Sequence, residues 1–428
     1  MRFAPEPLVL TRRKRVSRWF SVPWLLLVGA SATLGEVTYK DWDQPPHSYF
    51  ERTPTDRFSR LKAQLESGAV SLDRTSEKGF LHSLLKLLAI PASSQMLVFS
   101  TTSLQLNLIN PSNPRALYFN EDIYLGFIPG GRIEIVSLDP ELGGIFYIFD
   151  IPKDGGPIRI DRSTRCMNCH AGSDTGYVPG LTIKSVVPAS TGGSLDSFRR
   201  ELTGHGIPLT NRFGGWYVTG AGNFTNHWGN LVGDLTGGVL TTTPVSLGAR
   251  FNYDRYLVTS SDLLPQLVHE HQAGFVNRVV EATYRARTYQ HTDPGGLTTE
   301  HREELDRQAH GIVRYLLFSD EAPLPPGGVT GDEAFKADFL RTRRVVHGAS
   351  LKDLDLNNRL LKFRCSYMIY SPVFLGLPEV VKRRVYEHLG HALDENEPNP
   401  EYKYLTPAEK RVIRQILRET LTDLPAGW

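Results

Sequence analysis

The sequence predicts a mixed α+β fold, a β-rich stretch followed by a mainly helical one, and three observations carry that expectation. Between residue 96 and about residue 188, short runs rich in β-branched and aromatic residues alternate with Gly, Pro, Asn and Asp. From about residue 261 onward, apolar residues recur at helical spacing over several long segments. The chain has 428 residues, 40% hydrophobic and 22% charged, which is enough for two domains or one large core.

Taken in order, the first segment predicts export. Arg12-Arg13-Lys14-Arg15 precedes an apolar run over residues 19–34, interrupted by Ser21 and Pro23, and Ala30-Ser31-Ala32 offers small residues for cleavage. The run is shorter than the ~20 apolar residues that span a bilayer comfortably. A signal peptide over residues 1–32 is therefore expected, with an uncleaved membrane anchor as the alternative. Either way the body of the chain is expected in the periplasm. Residues 33–95 form an N-terminal helical segment, with helices at 54–67 and 75–90; Leu81, Leu84, Leu85 and Leu88 make one stripe of the second.

Residues 96–250 are the β-rich region, with strands expected at 96–100, 116–120, 123–128, 132–138, 145–151, 181–187 and 215–219. Residues 251–428 are the helical region, with helices at 261–287, 299–318, 332–346, 378–393 and 407–424. The last opens with Thr406-Pro407-Ala408-Glu409, a capping box with proline at the first helical position.

The formal net charge of +2 is concentrated at the N-terminus. The first 32 residues hold six Lys/Arg against one acid, leaving 42 basic and 45 acidic residues beyond them. No basic field remains for nucleic acid. Only three cysteines occur, so an exported chain of this length is not a disulfide scaffold.

Two of those three lie in Cys166-Met167-Asn168-Cys169-His170, the attachment sequence of a c-type haem. Thiols three residues apart reach the two vinyl groups on one porphyrin edge. The histidine that follows is carried beneath the ring as the proximal axial ligand. One covalent haem c is thus expected on Cys166, Cys169 and His170. Redox-active thiols and a zinc site are the competing explanations. The first wants a strand before and a long helix after the motif, and the second wants another Cys/His pair, which Cys365 alone does not supply. The small residues Ala171, Gly172, Ser173 and Gly176 allow close backbone approach, and the carbonyl of Pro179 is the expected acceptor for the second nitrogen of His170.

The occupant of the other axial position separates carrier from catalyst. His227 lies in the loop Phe224-Thr225-Asn226-His227-Trp228-Gly229-Asn230. His271 falls within the apolar arc of Leu264, Val268, Phe275, Val279 and Ala282, with His269 on the polar side. These two are the candidate distal ligands. Met368, whose neighbours alternate like a buried strand, ranks behind them. Arg212, Trp216 and Tyr217 are weaker candidates for propionate pairing or ring packing, and His301 and His310 sit on a charged helix face with no function expected of them.

The stretches Ala116-Leu117-Tyr118-Phe119-Asn120, Gly214-Gly215-Trp216-Tyr217-Val218-Thr219-Gly220, Glu270-His271-Gln272 and Cys365-Ser366-Tyr367-Met368-Ile369-Tyr370-Ser371 complete the picture. Together with the haem motif, the chain resembles a bacterial family of large mono-haem proteins described as cytochrome c domain-containing. The resemblance implies haem attachment at Cys166, Cys169 and His170, adds weight to His227 and His271, and implies no particular reaction. Single-electron transfer with a redox partner protein is the expected function. The alternative is a haem-dependent, peroxidase-like enzyme or a haem-based small-molecule sensor.

Overall fold

The computed structural model describes residues 37–428, apart from residues 154, 198–203, 223 and 397–398; the expected signal segment lies outside the described residues. The architecture is mixed α+β, with the sheets concentrated in the N-terminal half and the long helices in the C-terminal half.

Two helices come first, α1 (Arg57–Glu66) and α2 (Glu77–Leu87). Asp56 starts α1 by accepting from the Phe58 and Ser59 N–H groups, and Ser76 starts α2 through Gly79 N–H. They cover one face of a six-stranded antiparallel meander in strict chain order: β1 (Met96–Val98), β2 (Arg115–Phe119), β3 (Ile123–Phe127), β4 (Ile133–Asp139), β5 (Gly143–Phe149) and β6 (Asp161–Arg162). Strand alternation sends Tyr118, Leu125, Ile135, Ile145 and Tyr147 toward α1 and α2, where Phe58, Phe80, Leu81 and Leu84 complete one core. The opposite face gives Phe119, Tyr124 and Leu138 to a second, larger core.

Beyond the sheet lie the single helical turn α3 (Met167–His170), the short pair β7 (Val186–Pro188) and β8 (Ser194–Ser197), and the hairpin β9 (Leu231–Thr236) and β10 (Val239–Pro244). The second core is built around α4 (Leu263–Thr292), a 30-residue helix with Asp262 as its cap. Around it stand α5 (Thr299–Leu316), α6 (Glu333–Arg341), α7 (Pro372–Leu375), α8 (Glu379–Ala392) and α9 (Pro407–Thr420).

Several expectations are corrected. Residues 215–219 form no strand; Tyr217 N–H donates to the Leu97 carbonyl, while isolated bridges join Trp216 to Val98 and Thr219 to Asp262. Met368 lies in a 3₁₀ turn, Tyr367–Tyr370, because the Ser366 hydroxyl accepts from its N–H and starts a turn where alternation suggested a strand. His269 faces no polar side: it is 7% exposed and packs between Phe119 and Tyr124, because the sheet covers the flank of α4 that a one-stripe helix would leave wet. The capping box of α9 forms by half. Thr406 accepts from Glu409 N–H, but the Glu409 carboxylate turns instead to the Arg364 guanidinium. Among the described residues, no helix is long and apolar enough to cross a membrane.

Candidate haem-attachment site

After β6 the chain still touches the sheet, with Ser163 N–H donating to the Phe146 carbonyl at 2.8 Å. It then turns once as α3, with Cys166 at the cap position and Cys169 and His170 within the turn. The N–H groups of Cys169 and His170 both donate to the Cys166 carbonyl, at 3.2 and 3.0 Å. Residues three apart on a helix share a face, so the two thiols are presented side by side. Both are free; Cys166 is half-buried and Cys169 exposed. Met167 between them is buried, which anchors the turn in the core beneath the sheet.

His170 is held from two directions. Its ring lies against Phe146, centroids 4.5 Å apart. Its Nδ1 donates to the Gly180 carbonyl at 2.9 Å, and Gly180 N–H returns a bond to the His170 carbonyl at 2.8 Å. The expected acceptor was the Pro179 carbonyl, and the structure moves it by one residue. Successive carbonyls of an extended segment point opposite ways; that of Pro179 faces the sheet and accepts from Gly144 N–H at 2.9 Å, so the next one faces His170. With the proton on Nδ1, Nε2 keeps its lone pair. Burial lowers the His170 pKa to about 4, so the ring is neutral at pH 7.

These features fit a covalently attached haem. An iron porphyrin supplies its own equatorial donors and asks of the protein an imidazole lone pair and two adjacent thiols, all present here. The competing explanations fit less well. Burial raises the Cys166 thiol pKa, against the low value of a redox-active thiol at a long helix N-terminus, and α3 has only four residues. Among the described residues, no three His, Cys, Asp or Glu side chains converge as a zinc site requires.

Each distal candidate is engaged with partners outside the motif. His271 is fully buried, its Nε2 hydrogen-bonded to the Ser366 hydroxyl at 2.7 Å and its Nδ1 to Nδ1 of His205 at 2.8 Å. Both rings stack in an aromatic column with Tyr315 and Phe318. His227 is half-buried between Phe213 and Phe224, and its Nδ1 accepts from Gly229 N–H at 3.0 Å. That bond puts the neutral ring's proton on Nε2, the opposite tautomer from His170. Met368 is fully buried in the larger core.

Arg212, Trp216 and Tyr217 all donate to backbone carbonyls: Arg212 to His205 and Ile207, Trp216 to Lys184, and Tyr217 to Pro111. Arg212 and Trp216 also line a shallow cleft together with Ile183, His269 and Glu270. His301 and His310 pair with Asp293 and Glu401 at the rim of α5. Cys365 is buried, its thiol pushed far above the usual range by desolvation.

His205 is the residue that sequence reasoning missed. It sits in a glycine-flanked stretch, Gly204-His205-Gly206, with no periodicity to mark it as core. Compared with protein-family models, curated proteins and solved structures, the chain has no match.

Proposed function

We propose that the chain is an exported mono-haem cytochrome of c type, with Cys166 and Cys169 as the thioether anchors and His170 as the proximal axial ligand. The observation that carries this reading is the tautomer of His170: its Nδ1–H is committed to the Gly180 carbonyl, so Nε2 is available to iron. The haem would supply a one-electron couple between ferric and ferrous iron. The protein's part is to fix the imidazole, dry its surroundings with Phe146, and leave the Cys169 edge open to solvent. An exposed attachment edge suits electron exchange with a partner protein in the periplasm, and single-electron transfer is the leading function.

A second reading is favoured by a specific observation. Both nitrogens of His271 and the Nδ1 lone pair of His227 are engaged in hydrogen bonds. If those bonds persist in the holoprotein, the iron's second axial site is left to water or a small molecule, as in a peroxidase-like enzyme or a sensor.

The test is the protein expressed with its own leader in cells that mature c-type cytochromes. After denaturation, its mass should exceed that of the polypeptide by one haem, and the Cys166→Ala/Cys169→Ala variant should lose the adduct completely. A colourless parent would remove the proposal. Ferrous iron that ignores carbon monoxide would then select the carrier, and ready binding would select the catalyst or sensor.

A further inference from the structure

We propose that Asn277, in the middle of α4, is the positioning residue of the axial histidine, an inference that rests on the haem reading above. Its carboxamide holds both backbone groups of one residue: Oδ1 accepts from Leu181 N–H at 2.8 Å and Nδ2 donates to the Leu181 carbonyl at 2.8 Å. The N–H of Leu181 belongs to the same peptide plane as the Gly180 carbonyl, and that carbonyl is the acceptor for His170 Nδ1–H. Fixing the plane from α4 therefore fixes the direction of the hydrogen bond that sets the tautomer and orientation of His170.

Residue 180 is glycine for the same reason. A Cβ there would lie 2.4 Å from Asn277 Oδ1 and 3.0 Å from Thr175 Cβ, so the carboxamide occupies the space a side chain would need. Asn277 is buried within α4, and Leu181 belongs to the same large core as Val276 and Val280 on either side of it. Two charge-free hydrogen bonds go to this one residue of the loop that follows His170. The loop's ends are already held by the reciprocal His170–Gly180 pair and by the Thr175 hydroxyl on the Gly172 carbonyl. Partners that orient an axial histidine typically change its metal affinity by about 10- to 100-fold when removed.

The experiment uses the full-length holoprotein, after its covalent haem has been verified by mass, so that failure of the haem reading is seen before any variant is made. Nitric oxide is bound to the ferrous protein, where it occupies the other axial position and weakens the bond opposite it. The ratio of five-coordinate to six-coordinate nitrosyl in electron paramagnetic resonance then reports how firmly His170 holds the iron. Asn277→Ala should raise that ratio by about 10-fold. The isosteric Asn277→Asp, which keeps the acceptor but repels the Leu181 carbonyl, should move it the same way and secures the test if the alanine variant folds poorly. Gly180→Ala alone should mimic Asn277→Ala, and adding it to Asn277→Ala should cost less than it does in the parent, since the clashing carboxamide is gone. Variants that melt at lower temperature with an unchanged ratio would reduce Asn277 to a packing residue and overturn the proposal.

Discussion

Two histidine sites in this molecule use the same side chain to opposite ends. At the attachment motif, His170 rests on one aromatic ring, gives one nitrogen to a backbone carbonyl and keeps the other lone pair. In the helical half, His271 is enclosed in a stacked column and spends both nitrogens, on His205 and on Ser366. Both rings are held neutral by burial, with pKa values lowered to about 4 and about 3. A lowered pKa therefore does not separate the proposed ligand from the histidine of the column; the hydrogen-bond partner of the second nitrogen does.

The sharpest way to break this contrast is to remove each ring. Replacing His170 with Ala should abolish the axial histidine signature of the iron while costing the polypeptide about 1 kcal/mol, the worth of one hydrogen bond in a partly open loop. Replacing His271 with Ala should do the reverse. It empties a ring-sized space and strands His205 and Ser366, a loss of about 3–5 kcal/mol by denaturant unfolding, with the iron spectrum unchanged. A His271→Ala protein with an altered axial signature would make that ring a ligand and erase the contrast.

Acid should sharpen the same comparison. In the unfolded chain each imidazole takes up a proton near pH 6.5; folded, burial pushes His271 down to about 3 and His205 well below its ordinary value, the latter aided by His271 itself. Between about pH 6.5 and pH 3 the unfolded state thus binds more protons. Stability falls as pH falls, by at most about 1.4 kcal/mol per pH unit for each ring. From pH 7 to pH 5 the parent should lose about 4 kcal/mol more than a His205→Leu/His271→Leu variant, about 2 kcal/mol for each ring, since the variant keeps the volume apolar and has nothing to protonate. Equal losses in the two proteins, measured by urea unfolding at each pH, would show that the pair carries no protonation penalty.

How much of this was legible in the sequence follows from the kind of signal each feature leaves. The candidate attachment turn stands out in the sequence because the chemistry proposed for it ties residue type and spacing together, as in Cys166, Cys169 and His170. The helices after residue 261 were legible from periodicity; α4, α5, α8 and α9 begin within two residues of their expected starts. The hairpin of β9 and β10 lies outside the strands expected from the sequence. Its signal was nevertheless present in Gly237-Gly238, whose backbones take φ of +59° and +81°, as a two-residue turn demands. The His205–His271 contact and the grip of Asn277 on Leu181 left no trace, because each joins residues 66 and 96 positions apart through tertiary packing. Periodicity along one helix reports how many faces are apolar, not which neighbour covers them, and so His269 was assigned to solvent.

The smallest expected effect concerns His227, which tests whether a tautomer alone can disqualify a ligand. Its Nδ1 accepts a hydrogen bond from Gly229 N–H, and Gly229 itself packs tightly, with a Cβ there meeting Val218 at 2.5 Å. For Nε2 to bind iron, the ring would have to break that bond and flip its proton, leaving the Gly229 donor unsatisfied at a cost of about 1–3 kcal/mol. His227→Ala should therefore leave the spectrum and the carbon monoxide response of the holoprotein as they are. Its stability should fall by about 1–3 kcal/mol, from the stranded Gly229 donor and the loss of two ring contacts. A shifted Soret band in this variant would mean that the loop rearranges around the haem, that iron coordination repays the lost bond, and that the rule drawn from His170 holds only for the proximal side.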